Sequence, residues 1–118
     1  MLGAVLPITF TPHLLPLDQG ELVSCYVTVA HPAVDELDLE RLYDGAYADE
    51  PFVELSAALP GVRDVRETNL CRISVHRDPR TRRVIVFSVI DNLWKGAAAQ
   101  AVQNLNLMFA LSEEAGLR

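Results

Sequence analysis

Val84 to Ile90 is a run of apolar side chains broken only by Ser88. A short, β-branched run of this kind suits a central strand covered on both faces. It is far below the ~18 residues that a membrane span needs. Its upstream neighbour alternates: Cys71, Ile73 and Val75 against Arg72, Ser74 and His76, the pattern of a half-buried strand. Between them lies Asp78-Pro79-Arg80-Thr81, with proline pre-set for the second position of a turn. The two strands are therefore expected to form an antiparallel hairpin. Downstream, Asp91-Asn92 offers a helix cap. Trp94, Ala98, Ala101, Val102, Leu105, Met108 and Phe109 then make a broad stripe at helical spacing, with Gly116 as a stop.

The rest of the chain follows the same logic. Val5 to Thr11 reads as a strand ended by Pro12, and His13 to Gly20 as a loop punctuated by Pro16, Asp18 and Gly20. Leu22 to Val29 alternates, with Val23, Cys25, Val27 and Val29 on one face, and His31-Pro32 ends it. Leu39, Leu42, Tyr43, Ala46 and Tyr47 predict a helix near 35–48, with Asp35, Glu36 and Asp38 at its dipole-favoured start. Phe52 to Leu55 is a short strand, Pro60-Gly61 a turn, and Val62 to Thr68 a polar loop. With 118 residues, the expectation is one α+β domain, a mostly antiparallel sheet with packed helices.

Charge and composition narrow the function. The net charge is −6, and the one basic run, Arg77, Arg80, Arg82 and Arg83, falls on the hairpin tip. Nucleic-acid proteins usually carry a basic balance, so neither nucleic acid nor a membrane is expected as partner. Met1 to Phe10 is apolar but lacks a basic n-region, so it does not read as a signal peptide. Cys25 and Cys71 make no disulfide framework, and a cytoplasmic, reduced setting fits. Both have the parity of buried core positions. His13, His31 and His76 share no metal-ligand spacing, so no metal is expected. His31 and His76 read as solvated, whereas His13, in a proline-bounded loop, suits site lining or packing equally. No glycine-rich phosphate loop, G-x-G-x-x-G or serine elbow is present. The Asp91 to Gly96 junction remains, where helix-start N–H donors and Lys95 collect.

Four segments then carry a resemblance. Asp91 to Met108, DNLWKGAAAQAVQNLNLM, resembles the D-N-L-x-K-G-A-A-G-Q-A-V-Q-N-x-N-L-M segment of N-acetyl-γ-glutamyl-phosphate reductases. In the same order, Thr11 to Pro16 resembles that family's T-P-H-L-x-P loop and Tyr47 to Val53 its Y-x-x-E-P-F-V. Val65 to Val75 resembles V-x-G-S-N-x-C-x-I-x-V.

The resemblance implies an NADPH-dependent reduction of an acyl phosphate to a semialdehyde, in arginine biosynthesis. It implies a Rossmann domain followed by a substrate and dimerisation domain of the glyceraldehyde-3-phosphate-dehydrogenase type. In that family a cysteine forms a thioester with the substrate, a histidine serves as acid/base, and the final helix packs on the cofactor domain. Neither Cys25 nor Cys71 stands in the nucleophile's motif, and His13 is not the acid/base. The expectation is thus a partial substrate/dimerisation domain over 1–118, its C-terminal helix at about 91–112, with no catalytic residue and no Rossmann domain. Carried over, Asn92 and Gly96 face NADP, while His13 and Lys95 line the substrate side. A homo-oligomer, dimer or tetramer, is implied. Four departures stand out: Gln19 and Glu21 flank Gly20 where the family has R-G-I, and Glu67 and Ala99 each replace a glycine. The alternatives are a stand-alone assembly module, or a paralogue acting on a related carrier-linked acyl phosphate. The stripe of the last helix is wide, and without the domain that covers it in the family, Trp94, Val102, Leu105 or Phe109 would leave an exposed apolar patch, which predicts self-association.

Overall fold

The computed structural model describes residues 7–29 and 36–118. Its elements are β1 (Glu21–Thr28), α1 (Glu36–Tyr47), β2 (Val53–Leu55), a 3₁₀ turn (Val62–Val65), β3 (Cys71–Arg77), β4 (Arg83–Ile90), a π turn (Trp94–Ala98) and α2 (Ala99–Met108). The strands form one sheet in the order β1-β4-β3-β2. The apolar run is central, as its composition requires. β4 pairs antiparallel with β1 (Cys25 opposite Val86) and with β3 (Val75 opposite Val86). β2 pairs parallel with β3, so the sheet is mixed. The α+β class with two antiparallel ladders of three agrees with the sequence reading.

The hairpin turn is held by Asp78, whose carboxylate accepts from the Arg80 N–H at 2.9 Å and the Thr81 hydroxyl at 3.0 Å. The Arg80 backbone N–H leads the interactions that hold this carboxyl below the usual carboxylate range, and the Thr81 hydroxyl and the Arg80 guanidinium add to it. Arg82 closes the turn at φ 57°. α1 lies over β2 and β3 and buries Leu39. The apolar core also contains Phe52, Val65, Ile73, Val84, Val89 and Ala99.

Several expectations need correction. Residues 7–11 form no strand and are exposed; the start of that strand, at Val5, lies outside the described residues, as do His31 and Asp35. Cys25 is exposed rather than buried, because β1 is an edge strand and α1 sits over the opposite half of the sheet. Cys71 is half-buried, its Sγ 3.3 Å from the Ser88 hydroxyl. The 62–68 segment is not simply a polar loop: it turns as a 3₁₀ helix and sinks Val65 completely. His76 is half-buried, its ring 6.1 Å from Phe87.

The last helix differs most from expectation. It ends at Met108, not near Gly116. The Ala110 N–H donates to the Leu107 carbonyl at 3.2 Å and the Leu111 N–H to that of Asn106 at 2.9 Å, with Ala110 at φ 52°. This is a left-handed helix stop without glycine. The apolar stripe is open, in line with the exposed patch expected without a covering domain: α2 buries Ala99, Gln103 and Asn106, while Val102, Leu105, Met108 and Phe109 are exposed. No helix among the described residues is long and apolar enough to cross a membrane.

Candidate functional site

The site grows from Asp91, where β4 runs out into the π turn. Its side chain is fully buried and accepts four hydrogen bonds. Oδ1 takes the N–H groups of Leu93 at 2.9 Å and Trp94 at 3.2 Å, the capping role expected of it. Oδ2 takes the Gln19 side-chain amide and the Glu67 N–H, each at 2.8 Å. Burial pushes this carboxyl's pKa up. The N–H donors of Glu67, Leu93 and Trp94, with the Arg66 charge, outweigh it and hold the group below its ordinary range. One carboxylate thus ties together three segments distant in sequence: the loop at 19, the loop at 67 and the start of the last helix.

Asn92 continues the clamp. Its Oδ1 accepts the Gly20 N–H at 2.6 Å, which leaves the Asn92 amide N–H groups for another acceptor. Gly20 is at φ 116°, and a Cβ there would lie 2.6 Å from the Val62 Cβ. Only glycine lets the 19–20 loop press against the 3₁₀ turn. Glu67, on the other side of Asp91, is at φ 57°, a left-handed conformation that costs a side-chain-bearing residue about 1–2 kcal/mol.

The helix start is widened. The Gly96 N–H bonds to the Asp91 carbonyl at 3.1 Å and the Ala98 N–H to that of Leu93 at 3.1 Å, both spanning five residues. Such π turns are frequent at functional sites. Gly96 is exposed, and a Cβ there would come within 3.3 Å of Ile90 Cδ1.

Lys95 turns back into the body. Nζ donates to Gln103 Oε1 at 2.7 Å and sits 5.4 Å from the Phe52 ring centre. Burial lowers its pKa, against the opposing pull of Cys71, Glu113 and Glu50. Gln103 also accepts from Asn69 at 2.8 Å and donates to Glu113 at 2.6 Å. The chain end closes the far side: the Asn69 N–H donates to the Arg118 carbonyl at 2.6 Å, and the Arg118 guanidinium stacks 4.7 Å from the Trp94 ring.

The structure thus brings Asn92, Lys95 and Gly96 together on one junction. His13 is not bonded into it; its ring nitrogen lies 3.0 Å from the Thr11 carbonyl on an exposed loop. Sequence reasoning missed Asp91 as a four-donor hub, along with Asn69 and Gln103. Asp91 gave the one usable signal, a carboxylate directly after the most apolar strand. Among the described residues no three His, Cys, Asp or Glu side chains cluster to hold a metal.

Known proteins place this geometry. The family of semialdehyde dehydrogenase dimerisation domains matches residues 1–92. The N-acetyl-gamma-glutamyl-phosphate reductase of Alkalilimnicola ehrlichii is 53% identical over 117 residues, 98% of this chain and 33% of the relative. That of Halorhodospira halophila is 54% identical over 118 residues, again 98% and 33%. The chain spans about a third of the length of the curated relatives it matches. Among solved structures, aspartate semialdehyde dehydrogenase II from Vibrio cholerae, complexed with ASA, superposes at TM-score 0.58 with 27% identity, over 78% of this chain and 27% of that one.

Proposed function

We propose, from the premise that this chain belongs to the semialdehyde dehydrogenase dimerisation-domain family, that it is the C-terminal part of an NADPH-dependent N-acetyl-γ-glutamyl-phosphate reductase. The observation that carries the reading is 53–54% identity running through 98% of the chain, the helix junction included. In this reading residues 1–118 are a partial substrate and dimerisation domain that works as a cytoplasmic homo-oligomer. The nucleophilic cysteine, the acid/base and the main cofactor cradle belong to the rest of the protein.

The junction residues fit a nicotinamide nucleotide. Asn92 has a fixed orientation and spare N–H donors, and Gly96 offers an exposed turn without a side chain. When bound, NADPH supplies the hydride. The residues of this chain orient its nicotinamide end: Asn92 donates a hydrogen bond, and the π turn keeps the Gly96 backbone open to close approach. Lys95 has two N–H donors beyond the one given to Gln103. With His13 on its loop, it lines the substrate side.

The test is Asn92→Ala in the full-length reductase. NADPH affinity is expected to fall about tenfold or more, the scale of one buried polar contact. Unchanged affinity and rate would remove Asn92 from the cofactor site. The 118-residue chain alone should give no NADPH-dependent turnover of the acyl phosphate; measurable turnover would overturn the assignment of the nucleophile to the rest of the protein.

A further inference from the structure

A cationic depression adjoins the Asp91 hub. It holds about 190 Å³ between two segments, Pro16 to Gln19 on one side and Val62, Arg63 and Arg66 on the other. Arg63 lies within the 3₁₀ turn and Arg66 follows it directly, three residues on. Both side chains line the depression, in a chain whose net charge is −6.

The nearby carboxylates neutralise them only in part. Asp64, between the two arginines, accepts from the Gly61 N–H at 2.8 Å and faces Arg72 at 3.5 Å. Glu67 faces Arg118 at 4.0 Å. Asp91 is filled by its four donors and interacts with the Arg66 charge as well. Only Asp18 reaches Arg66, at 4.0 Å with its side chain 91% exposed, and such a pair is worth little. Arg63 makes no side-chain ion pair or hydrogen bond to the described residues.

Both walls are also preorganised. The Asp91 carboxylate holds Gln19 on one wall and the residue after Arg66 on the other. Gly20 lets the walls close to contact at Val62. Guanidinium forks are the usual receptors for phosphate and carboxylate groups.

We propose that Arg63 and Arg66 form an oxyanion subsite that takes a small phosphate- or carboxylate-bearing ligand in the depression against Pro16–Gln19. Its assignment to an anionic end of the acyl-phosphate substrate rests on the function proposed above; the anion affinity itself does not.

The test is a nuclear magnetic resonance titration of the 118-residue chain with inorganic phosphate, at ionic strength held constant with chloride. Saturable shifts are expected at the Gln19 side-chain amide and the 62–67 backbone. Arg63→Ala and Arg66→Ala should each weaken binding about tenfold or more. Arg66→Lys keeps the charge but not the fork, so it weakens binding less and guards against a folding defect in the alanine variant. Arg80→Ala with Arg82→Ala removes two charges from the hairpin tip, one more than either single variant, and should leave binding unchanged. Non-saturable drift, or equal weakening by the hairpin pair, overturns the subsite. A parallel acetate titration identifies the source: tighter phosphate assigns the phosphoryl end, tighter acetate a carboxylate end, and binding of neither refutes the proposal. In full-length reductase, Arg66→Lys should raise substrate KM and spare kcat. A full-length protein without reductase activity would sink the functional reading while leaving the phosphate result to stand or fall by itself.

Discussion

The two sides of α2 carry opposite chemistry. The inner side is polar: Gln103 and Asn106 are buried, and their side chains are bonded to Asn69, Lys95, Glu113 and the carbonyls of the returning chain end. The outer side is apolar: Val102 is 39%, Leu105 50% and Phe109 68% exposed. A surface helix of a self-contained domain does the reverse. The difference teaches which contacts are complete within these 118 residues. The Asp91–Gln103 side is bonded within the chain, though Asn69 Oδ1 is buried there without a partner; the outer face of α2 and the edge strand β1 are left open among the described residues.

If the inner side is self-sufficient, damage there should unfold the chain. Asp91→Ala strands four donors at the junction and is expected to cost about 3–4 kcal/mol, read by urea unfolding. A cost under 1 kcal/mol would mean that water replaces the carboxylate and that the junction is not a closed unit. Gly20→Ala comes next, at about 2–3 kcal/mol, since it combines a left-handed φ with the 2.6 Å approach to Val62 Cβ. Val62→Ala keeps that Cβ and should not rescue it. Glu67→Gly should instead stabilise by about 1 kcal/mol, by relieving the positive φ without touching the backbone bond to Asp91. Destabilisation there would show that the Glu67 side chain contributes more through Arg118 than its backbone costs.

Much of this was legible beforehand. The central strand, the hairpin, its turn and the cap at Asp91 follow from local pattern, and local pattern decided them. Cys25 was misread because alternation reports which residues share a face, not whether anything covers it. The stripe on α2 has the same ambiguity: Leu105 and Phe109 announce an apolar partner without saying whether it lies in this chain. The parallel pairing of β2, the π turn and the Gln103 network depend on contacts between distant segments, which no local period encodes. Asn92, Lys95 and Gly96 are proposed as site residues through the motif resemblance. The Arg63–Arg66 depression is not legible in the sequence, because the polar 62–68 pattern does not separate a 3₁₀ turn from a loop.

The central claim is that the inner side of α2 is bonded within the chain and the outer side takes a partner. Sedimentation equilibrium of the chain across a wide concentration range, with Leu105→Glu alongside, tests it most directly. The account predicts concentration-dependent association by the parent chain, weakened in the variant, with unfolding free energies that agree within about 0.5 kcal/mol at low concentration. A strictly monomeric parent chain at high concentration, or a variant that unfolds, would contradict it.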